Sequence, residues 1–153
     1  MAALIGLRGE ALYEGQAAIE LETIAGRAAA PYPFAIAGGA PFQIDVGPTI
    51  EAIVGELRGG AAAGDIAGRF HATVASFLAA ACARARAATG IDVVALSGGV
   101  FQNQLLLSQL VRLLAGDGFR IYTNRRVPAN DGGISLGQAA VASERIRRGV
   151  VTE

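Results

Sequence analysis

Residues 91–103, Ile-Asp-Val-Val-Ala-Leu-Ser-Gly-Gly-Val-Phe-Gln-Asn, decide the fold class. The apolar run 91–96 predicts a short strand that helices cover on both faces. The paired glycines that follow turn the chain into a helix predicted over 101–115, and residues 119–123 predict a second strand. A strand–helix–strand order implies at least one parallel pair of strands and therefore an α/β fold.

Working outward from this stretch, the pattern predicts five more elements. Two Pro- and Gly-rich breaks bound them, and Asp65 is the expected cap of the longest helix. The elements are a helix over 15–30 with Ala17, Leu21, Ile24 and Ala28 on one face, a hairpin with arms 34–37 and 42–46, and helices over 47–58, 65–89 and 134–148.

The composition excludes several classes of protein. The chain has 153 residues, of which 52% are hydrophobic and 17% charged, which excludes a disordered polymer. Its 13 Arg residues, with no Lys, balance 13 acidic residues, and zero net charge favours neither nucleic acid nor an anionic membrane as partner. The longest nearly apolar stretch, 72–83, is shorter than the roughly 20 residues of a membrane span. The start of the chain lacks a basic segment typical of a signal peptide, so we expect a cytoplasmic protein.

Two glycine turns carry the candidate chemistry. Ser97-Gly98-Gly99 and Asp131-Gly132-Gly133 each precede a predicted helix, where unpaired amides and the absence of a Cβ suit a phosphate group. The alternative is that these glycines only turn the chain. Neither the P-loop pattern nor Gly-x-Gly-x-x-Gly is present, so the common phosphate loops are excluded.

Three single side chains are candidates for chemistry, and two of them have two interpretations. Asp131 is either a helix cap or a hard oxygen ligand for a metal that bridges phosphates. His71 is a packing histidine or a catalytic one, and the first is the default. The single Cys82 excludes a disulfide within the chain and is best interpreted as a buried structural thiol.

Two long motifs closely resemble the C-terminal end of the HypF carbamoyltransferases. They are Leu96-Ser-Gly-Gly-Val-Phe-Gln-Asn-Gln-Leu-Leu-Leu107 and Val127-Pro-Ala-Asn-Asp-Gly-Gly-Ile-Ser-Leu-Gly-Gln138. The segment 13–22, Tyr-Glu-Gly-Gln-Ala-Ala-Ile-Glu-Leu-Glu, and the pair Phe70-His71 resemble the same family in the same order. The resemblance implies a fold similar to TsaD, that is, part of an actin/hexokinase-like (ribonuclease H-like) two-lobed ATP-binding fold. The chain would be mainly the C-terminal lobe, a small mixed sheet flanked by helices.

The resemblance also implies roles for particular residues. The nucleotide site would be lined by Ser97, Gly98, Gly99 and Asn103, with Gly132 and Gly133 in an adjacent phosphate turn. Gly15, Gln16 and Glu20 would lie on the nucleoside side, and Asp131 would be a metal ligand. The family's metal site also uses a His-x-x-x-His pair, whereas this chain has one histidine.

The implied reaction belongs to [NiFe]-hydrogenase maturation. HypF proteins make carbamoyl-adenylate from carbamoyl phosphate and ATP and transfer the carbamoyl group to the C-terminal cysteine of HypE, from which cyanide is made. The implied cofactors are ATP and a divalent metal, which could be zinc, iron or magnesium. The implied partners are HypE and the remaining domains of a longer chain.

Residues 1–153 are thus expected to be a C-terminal fragment of the TsaD-like carbamoyltransferase domain, inactive alone and able to form a homodimer through exposed apolar surface. The alternatives are half of an actin-like small-molecule kinase and a non-catalytic docking module for a maturation partner.

Overall fold

A computed structural model describes residues 1–26, 30–39 and 41–150. The helices are α1 (Gln16–Ile24), α2 (Gly47–Arg58), α3 (Ala63–Thr89), α4 (Gln104–Gly116) and α5 (Ile134–Arg147). The strands are β1 (Ala35–Ala37), β2 (Gln43–Asp45), β3 (Val93–Leu96) and β4 (Arg120–Thr123). Two short 3₁₀ turns, Gly99–Gln102 and Asp131–Gly133, precede α4 and α5, and we call them the first and second glycine turns.

The α/β class and the parallel pair are confirmed, but the described residues form two small sheets rather than one mixed sheet. β1 and β2 are antiparallel, as the predicted hairpin requires, and Ala35 is opposite Asp45. β3 and β4 are parallel, with Val93 opposite Arg120 and Leu96 opposite Thr123. The actin-like assignment stays a prediction.

α3 is the central element because it contributes to two apolar clusters. One cluster joins α3 to β3, α4 and β4, and it contains Ala75, Leu96, Leu106, Leu110, Leu114 and Phe119. The other joins α3 to α2 and the segment before β1 through Ile66, Ile53 and Tyr32. Burying large apolar side chains on both flanks contributes about 1.5–3 kcal/mol for each one.

The length and composition of α3 alone would allow it to cross a membrane. The apolar stretch 72–83, used above to argue against a membrane span, therefore underestimates the length of the apolar helix. In the structure α3 is a core helix, since it contacts α1, α2 and α4 and buries the polar side chains of His71 and Thr73.

Two details of the predicted helices were wrong. Asp65 does not cap α3, because the helix already begins at Ala63 and its cap position is Ala62, which makes no side-chain cap. The first helix ends at Ile24 rather than continuing to residue 30, since Ala25 has an extended backbone (φ −59°, ψ 119°). Ala28 and residues 27–29, part of that prediction, lie outside the described residues.

The predicted coverage of β3 on both faces was also wrong for the described residues. Helices α3 and α4 pack on one face only, which buries Leu96, whereas Val93 is 37% exposed and Tyr122 of β4, which lies opposite Ala95, is 63% exposed. The residues of α5 are likewise all outside the core. The predicted homodimer could use these surfaces and stays a prediction.

Two glycines that the sequence did not single out allow α1 and α3 to come close. Gly64 and Gly68 lie one turn apart on α3, and a Cβ at either would lie 2.7 Å from a carbonyl oxygen, that of Ile24 or of Gly26. The amide of Gly26 donates to the carbonyl of Gly64 at 2.8 Å. The end of α1 therefore rests directly on the backbone of α3.

We expect Gly68→Ala to lower the free energy of unfolding by about 1–3 kcal/mol, because the added methyl group would overlap backbone that cannot turn away. Chemical denaturation measures the change. Gly55→Ala is the matched control, since Gly55 is inside α2 with open space around it. That change should stabilise the chain by up to about 1 kcal/mol. Equal effects of the two substitutions would contradict close contact at Gly68.

Candidate functional site

The first glycine turn leaves backbone donors free. Gly98 has φ 107° and ψ 157°, a conformation that side-chain-bearing residues rarely adopt. It leads the chain from β3 into the turn, where the amides of Gly99 and Val100 have no hydrogen-bond partner among the described residues. Two adjacent free amides can bind a phosphate group, and because Gly99 has no side chain the phosphate can approach the backbone closely.

The amino end of α4 itself is occupied, which corrects the expectation that this helix start would hold phosphate. The helix begins at Gln104 rather than at residue 101. The amide of Leu106 donates to Asn103 Oδ1 at 2.8 Å, and that of Leu105 donates to Glu22 Oε1 at 3.0 Å. In the first turn of α4 only the Gln104 amide lacks a partner among the described residues, so most of the free donors belong to the glycine turn.

The second glycine turn separates the two interpretations of Asp131. Asn130 provides the cap, because its Oδ1 accepts from the amide of Gly132 at 3.1 Å. The helix-cap interpretation of Asp131 is therefore wrong. In the described part of the chain the exposed Asp131 carboxylate makes no hydrogen bond or ion pair, which leaves its oxygens free for a cation.

The two glycine turns meet. The amide of Gly98 donates to the carbonyl of Ala129 at 2.8 Å, so the loop before the second turn is fixed to the first. At Gly133 a Cβ would lie 2.7 Å from the carbonyl oxygen of Pro128, so this glycine permits the loop to fold tightly. Ser97, Gly98, Asp131 and Gly133 consequently line one pocket of about 460 Å³.

A second pocket of about 410 Å³ lies between the start of α1 and the first glycine turn, and we call it the α1 pocket. Its lining includes Gly15, Glu22, Gly99 and Asn103. Gly15 has φ 81°, which turns the chain into α1 beside this pocket. The structure therefore places Gly15 in the same pocket as Gly99 and Asn103, which are 84 or more positions later in the sequence. All three residues were predicted to contact one nucleotide.

Gln16 and Glu20, both predicted nucleoside contacts, lie outside these two pockets. Gln16 is buried, accepts from the amide of Leu12 at 2.7 Å and donates to Glu20 at 2.9 Å. Arg8 holds both carboxylate oxygens of Glu20, and its hydrogen bonds lower the pKa of that carboxyl group. The two side chains fix residues 8–12 to α1, and a direct contact with a nucleoside stays a prediction.

His71 contacts a predicted site residue, Asn103, which the sequence did not indicate. Its ring is buried, as the packing interpretation predicted, and Nδ1 lies 2.8 Å from the carbonyl oxygen of Ala67. The other ring nitrogen, Nε2, lies 2.9 Å from Asn103 Nδ2. The two residues are 32 positions apart, and no local spacing in the sequence indicates that they meet.

No complete metal site is found in the described residues, and Cys82 is not placed as a nucleophile. No group of three or more His, Cys, Asp and Glu side chains that could hold a metal occurs there. Cys82 lies inside α3 against the larger apolar cluster, and burial raises the pKa of its thiol. The structural interpretation of Cys82 agrees with this position.

Comparison with known proteins decides the family. A family model described as "Carbamoyltransferase, Kae1-like Domain, second subdomain" matches residues 1–138. The chain belongs to the HypF carbamoyltransferase family. Carbamoyltransferase HypF2 of Cupriavidus necator is 37% identical over 94% of this chain and 21% of its own length. Carbamoyltransferase HypF of Rhizobium leguminosarum bv. viciae is 41% identical over 95% of this chain and 19% of its own length.

Solved HypF structures agree with the same assignment. A full-length HypF in a phosphate- and nucleotide-bound form matches with a TM-score of 0.92 and 40% identity, over 99% of this chain and 20% of that one. HypF of T. kodakarensis matches with a TM-score of 0.80 and 27% identity, over 99% of this chain and 19% of that one. The chain thus spans about a fifth of the length of the HypF relatives it matches.

The raised pKa of Cys82 predicts slow modification of the thiol. A raised pKa keeps the sulfur protonated at pH values where a free cysteine has begun to ionise, and only the thiolate reacts. At about pH 8 we expect an aromatic disulfide reagent to modify Cys82 at least about tenfold more slowly than free cysteine, with the rate increasing towards higher pH. Modification as fast as that of free cysteine would contradict burial of the thiol.

Proposed function

We propose that this HypF-family chain provides the part of an ATP-dependent carbamoyltransferase that holds nucleotide phosphates. The supporting observation is the meeting of the two glycine turns, through the 2.8 Å hydrogen bond from the Gly98 amide to the Ala129 carbonyl. That contact brings the first glycine turn, with its free amides at residues 99 and 100, against the second, because a Cβ at Gly99 would lie 4.0 Å from Asn130, the residue before the unpaired Asp131. The nucleotide- and phosphate-bound form of a HypF relative with the same fold supports the same kind of ligand here.

The reaction proposed for the complete protein is carbamoyl transfer through carbamoyl-adenylate to the C-terminal cysteine of HypE. In the transfer step the partner's thiolate attacks the carbamoyl carbon, a C–S bond forms, and the bond from that carbon to the phosphate oxygen of AMP breaks. AMP leaves with the electron pair. Backbone amides near Gly99 would stabilise the negative charge that develops on the leaving phosphate.

Asp131 fits a divalent metal as one ligand of a larger set. Its carboxylate supplies the hard oxygen that such ions prefer, and it lines the same pocket as Gly98. A metal bound there would neutralise phosphate charge. The described residues contain no group of three His, Cys, Asp or Glu side chains that could hold a metal, so further ligands would come from other domains of the longer protein.

Membership of the HypF family favours carbamoyl transfer over the small-molecule kinase alternative. The partner's cysteine provides the nucleophile in the proposed reaction, which is consistent with a buried Cys82. HypE as the partner, ATP as the cofactor and a cytoplasmic location all belong to this proposal.

We expect the chain to bind ATP weakly. Magnesium held by Asp131 should lower the dissociation constant for ATP. Titration calorimetry with ATP, with and without Mg²⁺, measures this. Asp131→Asn keeps the shape of the side chain but removes its charge, and it should abolish most of the improvement by magnesium, about fivefold or more.

Asp117→Asn is the matched control. Asp117 pairs with Arg86 at the far end of α4, away from both pockets, so the same chemical change there should leave ATP binding unaltered. Absence of ATP binding by the unmodified chain would overturn the proposed function. Equal magnesium effects in Asp131→Asn and the unmodified chain would overturn the metal role alone.

We also expect the chain alone to catalyse no carbamoyl transfer, because it supplies one candidate metal ligand and only one of the two lobes that the proposed fold would place around a nucleotide. Incubation with ATP, carbamoyl phosphate, magnesium and a peptide ending in cysteine should leave the peptide mass unchanged by mass spectrometry. A HypF protein of full length provides the positive control. Carbamoylated peptide formed by the chain alone would contradict the division of the site between domains.

A further inference from the structure

His71 and Asn103 are linked in a series of hydrogen bonds, and in each bond it is determined which group donates and which accepts. The carbonyl oxygen of Ala67 can only accept, so His71 Nδ1, 2.8 Å away, must carry the proton. In the neutral ring Nε2 is then an acceptor, and it must receive an N–H from Asn103 Nδ2 at 2.9 Å. This orientation leaves Asn103 Oδ1 free to accept from the amide of Leu106 at 2.8 Å.

The chain of hydrogen bonds ends at the glycine turn. Asn103 is the last residue before α4, and its own amide donates to Val100 in the first glycine turn at 3.2 Å. Its side chain therefore holds the first residues of α4 and its backbone amide closes the end of the turn, so the position of Asn103 fixes both. Glu22 supports the same helix start through Leu105, but on a different donor.

We propose that His71 is a positioning residue of the nucleotide site, which holds the side-chain amide of Asn103 in the one orientation that caps α4 and fixes the first glycine turn. This proposal rests on the proposed function, because the turn is the part of the site that would hold phosphate. His71 touches neither pocket and acts only through Asn103.

Protonation of His71 is incompatible with this arrangement. Both nitrogens of an imidazolium donate, so Nε2–H would meet the N–H groups of Asn103. Rotating the Asn103 amide by half a turn would satisfy the ring, but it would then present N–H groups to the amide of Leu106. Either way one hydrogen bond is lost in a site where His71 is only 4% exposed.

Of the charged groups on α3 itself, Arg69, Arg84 and Arg86 are engaged, whereas the Asp65 carboxylate makes no hydrogen bond or ion pair among the described residues. Glu20 pairs with Arg8, and Glu56 pairs with Arg69. The remaining charged side chains on the helices packed against α3 are Glu22, Glu51, Arg58 and Arg112. Of these, Glu22 is connected to the first turn of α4 through its hydrogen bond with Leu105.

The tautomer of His71 tests the direction of the hydrogen bonds without any ligand. The chain has a single histidine, so the long-range ¹H–¹⁵N spectrum of the imidazole has one unambiguous set of signals. We expect the neutral ring of the unmodified chain to carry its proton on Nδ1. A proton on Nε2 would overturn the proposal.

Two substitutions of His71 separate positioning from packing. His71→Phe keeps an aromatic ring but removes the acceptor, and ATP should bind about five- to tenfold more weakly near neutral pH. His71→Gln restores an acceptor that cannot be protonated, so ATP affinity should recover. As the pH is lowered, the affinity of the unmodified chain should fall more steeply than that of His71→Gln, because only the histidine can gain a proton there. The Gln variant also corrects for protonation of ATP itself.

Thr73→Val is the control for a loss of stability without a change in the site. Thr73 is fully buried on the same helix, but its hydroxyl joins Arg69 and Tyr32 rather than Asn103. The variant should unfold at a lower temperature and bind ATP as the unmodified chain does. If His71→Phe binds ATP as tightly as Thr73→Val, the positioning role is overturned. If the unmodified chain binds no ATP at any pH, the proposed function fails instead, whatever the tautomer spectrum shows.

Discussion

The placement of α3 between two apolar clusters is the constraint on which the rest of the structure depends. One flank of the helix packs with α4 and the parallel strands, and the other packs with α2 and Tyr32. Gly64 and Gly68 add a third contact, because they allow the end of α1 to rest on the helix backbone. A shift of α3 would therefore move α1 and α4 relative to each other, and these are the two elements beside the α1 pocket.

The candidate site inherits its geometry from this arrangement. α3 carries His71 to Asn103, so the turn before α4 is fixed from the core side. The hydrogen bond from Gly98 to Ala129 then fixes the loop that carries Asp131 to the same turn. Phosphate binding by backbone amides requires that the amides be held in place before the ligand arrives, and these two contacts provide such preorganisation.

The sequence predicted what local patterns determine. The apolar run before Ser97, the paired glycines and the periodic helix after them follow from residues close together in the chain, and the parallel strands follow from their order. It could not predict contacts between distant residues, such as Glu22 with Leu105, which occupies the helix start expected to hold phosphate. It also assigned capping to Asp131 as one possibility, whereas the structure gives that role to Asn130, because the side chain one residue earlier reaches the Gly132 amide.

The exposed surfaces of the chain have a consequence for how the site would work. Val93 and Tyr122 lie on the uncovered side of the parallel strands, and α5 buries none of its residues even though Leu136 and Val141 are apolar. Asp131 at the start of α5 likewise has an unpaired carboxylate. A single carboxylate holds a divalent ion weakly, since such ions need several oxygen or nitrogen ligands. In the proposed site, metal binding and the firm binding of phosphates that depends on it would therefore require a second surface opposite Asp131. Contact with that surface would also remove the apolar residues around α5 from water.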